Sequence, residues 1–207
     1  MKLAIFGTSG FAREVRDIAV LIGCEEIIFI GTTPEAPIQG SPVAAEEEIP
    51  SLTGEGWVFS IGIGNPQTRK TIRERYPDLL YANLIHPSAT FGFGQREELR
   101  GKAGNIICAG ARMTNGILCG NFCVFNLNCT VGHDCIIEDF VTVSPGANVS
   151  GNVLLREGSY LGTNSCVLQG KSAVEKIAVG CYTTVGAGAV VTKSVPDHMV
   201  VKGVPAR

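Results

Sequence analysis

His133 lies in the stretch NCTVGHDCIIEDF, residues 128–140, between Gly132 and Asp134. An imidazole can take a proton from an attacking group near neutral pH, and a neighbouring carboxylate can orient the ring and support its positive charge. The residues around the pair are small or β-branched, which is the composition of a scaffold. The other two histidines stand apart: His86 precedes Pro87, and His198 lies in the C-terminal tail. A metal site built on three histidines would need all of them to converge, and this spacing speaks against it. A second stretch with chemistry is Gly7-Thr8-Ser9-Gly10, set between a short apolar run and a helical pattern. Backbone N–H groups in such a turn can hold phosphate oxygens. A dinucleotide fingerprint would add an acid after the second strand. That strand ends Gly31-Thr32-Thr33 without one, which argues against NAD.

Residues 1–85 carry an alternating α/β pattern. LAIF (3–6) is a strand. A helix follows with Ala12, Val15, Ile18, Ala19 and Ile22 on one face and Gly23 at its end. EEIIFIG (25–31) and WVFSIG (57–62) are further strands. Asn65-Pro66 then opens the basic helix QTRKTIRERY, and YANLI (81–85) closes the half. Strand, helix and strand in this order predict a parallel sheet.

From about residue 103 the period becomes six. Positions 107, 113, 119, 125, 131, 137, 143, 149, 155, 161 and 167 are all apolar, and the phase continues at Ala173, Val179, Val185 and Val191. Against 45% hydrophobic residues overall, eleven consecutive matches have odds on the order of one in ten thousand before the phase is chosen. Four residues after most anchors comes a small side chain: Ala111, Cys123, Cys129, Cys135, Ala147, Ser159, Ser165, Thr183 and Ala189. A hexapeptide period predicts a parallel β-helix whose triangular coil takes three hexapeptides, with anchors and small residues inside the prism. His133 follows the anchor Val131 by two residues, so it faces outward near a corner. One coil further on is Gly151. Adjacent strands lie about 4.8 Å apart, so a residue without a side chain sits over the imidazole and leaves a slot with a backbone N–H.

The formal net charge of -2 gives no basic excess for nucleic acid. No apolar run approaches the roughly 20 residues of a membrane span, and MKLAIFGTSG reads as a buried strand, not a signal peptide. The eight cysteines contain no CxxC pair. They read as reduced, small apolar residues of a cytoplasmic protein.

FGTSGFAREV, IGIGNPQTRK, VGHDCIIEDF and the ending VGAGAVVTKSVPDHMVVKGVPAR resemble one family across nearly the whole chain. It is the left-handed β-helix sugar acetyltransferases of the sialic acid O-acetyltransferase type, which include N-acetyltransferases of nucleotide-linked 4-amino-4,6-dideoxy sugars. The resemblance implies a Rossmann-like βαβ nucleotide-sugar domain (1–85) and a left-handed parallel β-helix acetyltransferase domain (86–207). It implies acetyl-CoA as co-substrate, no metal, a homotrimer, and direct attack by the sugar amine. His133 would be the general base, Asp134 its orienting acid (many relatives have glutamate), and Gly151 the oxyanion amide. Asn126 would lie near the acceptor sugar. Gly7, Thr8, Ser9, Gly10, Phe11, Gly64 and Asn65 would line the nucleotide cleft, with Phe11 where some relatives have histidine. Lys193, Lys202 and Arg207 would meet the coenzyme phosphates. O-acetylation of sialic acid is the alternative acceptor chemistry. A non-catalytic sugar-nucleotide-binding solenoid is the alternative outside enzymes.

Overall fold

In the computed structural model, which describes residues 1–32 and 36–207, the chain forms two units that share an extensive apolar contact. The N-terminal unit contains β1 (Lys2–Phe6), α1 (Gly10–Leu21), β2 (Glu26–Gly31), β3 (Val43–Ala45), α2 (Ile49–Gly54), β4 (Val58–Ile61) and α3 (Pro66–Arg75). Its sheet is parallel, in the order β3-β2-β1-β4. β1 is apolar on both faces because both sides are covered, as a parallel sheet requires. Ala12, Val15, Ile18 and Ala19 are buried on α1 as the spacing predicts. Ile22 is not part of that face: the helix ends at Leu21, Ile22 is 37% exposed at its cap, and Gly23 turns the chain at φ +82°.

Residues 81–85 divide between the units. Tyr81 bridges to Phe59 of β4, whereas Leu84–Ile85 pairs with Ile106–Ile107 and begins the prism. Among the described residues the prism has three parallel sheets, with seven, six and four strands. We call them faces I, II and III, represented by Val124–Phe125, Thr130–Val131 and Ile136–Ile137. Successive coils pair three hexapeptides apart, as in Val124↔Thr142, Thr130↔Asn148 and Ile136↔Leu154. The anchors from Ile107 to Val167 are at most 2% exposed, and the small residues between them at most 1%. All eight cysteines are free thiols. Burial raises Cys108 and Cys129 to about 12, so they act as small apolar side chains.

The hexapeptide phase at Ala173 is not an anchor. Tyr160 pairs with Thr184 and Cys166 with Val190, four hexapeptides apart instead of three, and Ala173 is exposed in an excursion over 171–176. An insertion of one whole hexapeptide preserves the period, so the sequence pattern passes through the excursion unbroken.

Face I carries the N-terminal unit. Leu84, Ile106, Cys108 and Val124 pack against α1 and the β1 side chains Leu3 and Ile5. Phe122 and Phe140 stack at 5.4 Å, with Tyr81 edge-on to Phe122 at 5.0 Å. Arg69 of α3, 1% exposed, fastens the units together. Its Nε donates to Phe122 O (2.9 Å). Its Nη1 donates to Gly64 O (2.8 Å) and Ile63 O (3.1 Å). Its Nη2 donates to Phe140 O (2.6 Å), Val141 O (3.2 Å) and Thr142 Oγ1 (3.0 Å). Burial lowers its pKa to about 10, and carbonyl dipoles rather than a carboxylate satisfy its fork of donors.

Candidate active site

The vertex between faces II and III carries His133, Asp134 and Gly151. Asp134 turns the corner at φ +57°, a conformation that aspartate tolerates better than most residues. Its Oδ2 lies 2.7 Å from His133 Nδ1. With Nδ1–H donating to this carboxylate, Nε2 keeps its lone pair. A Cβ placed on Gly151 would stand 2.5 Å from Nε2 and 2.7 Å from Cε1. The ring therefore lies directly against the Gly151 backbone, as a coil of three hexapeptides requires. The Gly151 N–H has no backbone acceptor among the described residues. The side chains of His133 and Asp134 are 47% and 53% exposed, so substrate can reach the imidazole from solvent.

A cleft of about 330 Å³ opens at the carboxyl ends of β1, β2 and β4, lined by Gly7, Thr8, Thr32, Glu46, Thr68 and Arg75 among others. This is where open α/β sheets bind ligands. Gly7 has φ +103°, and a Cβ there would stand 3.1 Å from Ile63 Cγ1. Ser9 precedes α1 in extended conformation without a side-chain cap, which leaves the first N–H groups of α1 available to an anion. Gly10 is unobstructed, and Phe11 is partly buried beside α1's core. Gly64 acts through its carbonyl, which accepts from Arg69 and from Thr142 Oγ1 (3.1 Å). Asn65 caps α3 by accepting from the Thr68 N–H at 3.0 Å.

A carboxylate does line the cleft, although it does not follow β2. Glu46, in the turn after β3, accepts from Arg75 Nη1 (2.9 Å) and Tyr76 OH (2.8 Å), and Tyr76 stacks on Phe6 at 5.5 Å. In the sequence Glu46 belongs to the run Glu46–Glu48 and reads as solvated surface charge. Its place at the end of a short apolar run was the only signal. Thr33 lies outside the described residues.

A second cleft, of about 440 Å³, separates the start of α3 from face I and includes Asn65, Gln67, Tyr160 and Tyr182. Lys70 and Tyr182 OH both lie 2.7 Å from Glu157 Oε1. The Lys70 hydrogen bond holds the Glu157 carboxyl below its ordinary range.

The remaining expected site residues are spread along the prism. Asn126 follows Val124–Phe125 at the vertex of faces I and II, where its Oδ1 accepts from the Leu127 N–H at 2.7 Å. Lys193 follows Val190–Val191 and shares the vertex of His133, further along the axis. Lys202 follows Val200–Val201, and its backbone exchanges hydrogen bonds with Arg207 (3.1 and 3.2 Å). His86 accepts from the Ser88 N–H at 3.0 Å in the first coil, and His198 stacks on Tyr182 at 6.0 Å near the last. The II/III vertex is opposite face I, which carries the N-terminal unit. Within one chain the cleft and His133 therefore lie on opposite sides of the prism.

These features define a class: a parallel β-helix with an α/β nucleotide-type cleft and a histidine–carboxylate corner. The PglD N-terminal domain family matches residues 2–76. The acetyltransferase domain of PglB from Neisseria gonorrhoeae FA1090, solved in complex with acetyl coenzyme A, superposes with a TM-score of 0.88 at 31% identity, covering 100% of this chain and 98% of that one. WeeI from Acinetobacter baumannii AYE superposes with a TM-score of 0.89 at 27% identity, with the same coverage. GDP-perosamine N-acetyltransferase of Escherichia coli O157:H7 is 31% identical over 116 residues, 54% of this chain. The matched region spans 50% of that relative's own length. The chain belongs to the hexapeptide-repeat sugar acetyltransferases, whose prism is a left-handed parallel β-helix. Among the described residues no helix is long and apolar enough to cross a membrane.

Proposed function

We propose that the chain is an acetyl-CoA-dependent N-acetyltransferase acting on the amino group of a nucleotide-linked 4-amino-4,6-dideoxy sugar. The observation that carries this reading is the corner itself: His133 Nε2 against the Gly151 backbone, with Nδ1 2.7 Å from Asp134. It stands in a chain that matches a domain solved with acetyl coenzyme A along its whole length. Relatives named for GDP-perosamine and for a dTDP-linked 3-amino-3,6-dideoxy sugar support a nucleotide-linked amino sugar as acceptor, and the 4-amino position is our own assignment.

In this mechanism the neutral sugar amine attacks the thioester carbonyl. The new C–N bond forms as Nε2 takes the amine proton. The Gly151 N–H is the donor for the developing oxyanion. Collapse breaks the C–S bond, and the imidazolium returns its proton to the departing thiolate. Asp134 supports the charge that the ring carries between those steps. No cysteine acyl intermediate is required. Lys193, Lys202 and Arg207 fit a coenzyme whose phosphates lie towards the C-terminal end of face II. The free N–H groups at the start of α1 fit a diphosphate, and Glu46 fits a donor on the nucleobase.

The opposite placement of cleft and corner is best accounted for by a homotrimer, in which the cleft of one chain serves the His133 of its neighbour. The direct test follows thiol release from acetyl-CoA with GDP-, dTDP- and UDP-linked 4-amino-4,6-dideoxy sugars. Turnover of a nucleotide-linked amine, lost about 100- to 10,000-fold in His133→Ala and less in Asp134→Asn, is the expected result. Turnover of the free sugar alone would overturn the acceptor assignment. Full turnover in His133→Ala would overturn the base assignment.

A further inference from the structure

Between residues 104 and 191 the coil departs from three hexapeptides once, at 171–176. The departure falls on the catalytic vertex. It follows the face II strand Cys166–Val167, and the Gly170 N–H donates to Gly151 O at 3.1 Å. The excursion closes on itself through Lys171 N–H to Glu175 O (3.0 Å), Lys171 Nζ to Glu175 Oε1 (2.6 Å) and Glu175 N–H to Ser172 Oγ (3.2 Å). Lys176 takes no part in that closure. It reaches back across 42 residues of sequence, and its Nζ donates to the backbone carbonyl of Asp134.

We propose that Lys176 is a positioning residue for the His133–Asp134 pair; this rests on the reading of His133 as the base. The position of the Asp134 carboxylate depends on its backbone, which holds φ +57°. Aspartate tolerates that conformation, but its carboxylate stays on the imidazole only while the corner is held, so the pair gains from a tether. In the same column of the prism, Gly116 stands one coil before at φ +66° and Asn152 one coil beyond at φ +56°. Neither has to aim a carboxylate at a histidine. Three nitrogen donors fix the backbone of the Asp134 corner. The Asp134 N–H donates to Asn115 O (3.2 Å), and His133 O accepts from the Asn152 N–H (2.9 Å). Both belong to the regular coil-to-coil ladder. The third, from Lys176, is supplied by the excursion, and it holds the one carbonyl that follows the carboxylate directly. A charged donor on a carbonyl is stronger than a neutral one. Lys176 thereby keeps Oδ2 on Nδ1 and Nε2 against Gly151.

The test compares Lys176→Met and Lys176→Arg with the parent, alone and in an Asp134→Asn background, with His133→Ala as control. Lys176→Met should lower kcat about 10- to 100-fold, the effect of a misaligned catalytic group. The KM for acetyl-CoA and for the amino sugar should stay within about twofold, because the lysine's bond is to the dyad's backbone. Thermal unfolding should be unchanged, and Lys176→Arg should recover most of the turnover. In the Asp134→Asn background the further loss from Lys176→Met should shrink below about threefold, since both changes remove one function. Wild-type kcat in Lys176→Met with an inactive His133→Ala would overturn this inference and leave the base assignment intact. A loss of equal size in both backgrounds, or one that tracks a lowered unfolding temperature, would also overturn it. Full turnover in His133→Ala would overturn the base assignment on which it rests.

Discussion

A methyl group at position 151 would stand 2.5 Å from His133 Nε2, well inside van der Waals contact. Gly151 is not among the residues with positive φ, so alanine meets no backbone strain there. The three nearest atoms all belong to the ring, which would have to swing out of its slot and away from Asp134. Gly151→Ala should therefore fold and assemble as the parent does, yet lose kcat by about 100-fold or more, comparable to removal of an oxyanion donor. Circular dichroism and steady-state kinetics on one preparation separate the two effects. An active Gly151→Ala enzyme would mean that the ring works from a different rotamer. This part of the site was legible in the sequence because a coil of three hexapeptides fixes which residues are stacked. Lys176 and Glu46 were not legible. One reaches its partner from an excursion that keeps the hexapeptide phase, and the other from a turn that looks like plain surface charge.

At the scale of elements, α3 joins the units through adjacent residues of opposite character. Arg69 is buried on five carbonyls and one hydroxyl, whereas Lys70 lies nearer solvent and pairs with Glu157. Removing Arg69 leaves several buried acceptors without donors. Arg69→Met should destabilise the protein by about 3–5 kcal/mol, read as a lowered urea midpoint. The Lys70–Glu157 contact gives a signature in pH. Lys70 lowers the Glu157 pKa from an ordinary value of 4.5. The contribution is therefore fully present above that value and is lost as pH falls through the depressed one. Glu157→Gln should flatten the acid side of the unfolding-temperature profile and leave the profile near neutrality little changed. An unaltered acid limb would show that other carboxylates govern it.

For the whole molecule, the proposed trimer, in which the cleft of one chain serves the His133 of its neighbour, makes assembly a condition of activity. His133→Ala chains keep an intact cleft, whereas chains carrying Gly7→Val keep an intact corner, since a Cβ at Gly7 would crowd Ile63. Each variant alone should be inactive. Mixed at equal amounts after dissociation, they should recover about a quarter of wild-type activity, the fraction of sites in a cyclic trimer that pair a good cleft with a good neighbouring histidine. No recovery on mixing, with trimers formed, would mean that cleft and corner of the same chain meet.

The sequence by itself determined the prism, its register as far as Val167 and the histidine–glycine stack. A period of six with inward anchors has one geometric solution, and burial of those anchors enforces it. It also determined the α/β character of the first half, because helical and strand periods alternate there between glycine turns. Tertiary structure decided where the two grammars meet, since Tyr81 and Leu84–Ile85 lie in one short run and their pairing partners separate them. It decided that Arg69 is a buried fastener although it sits in a helix that reads as basic surface. It decided as well that Ala173 is outside the prism. In each case the deciding force is contact between segments far apart in sequence, and local pattern carries no record of it.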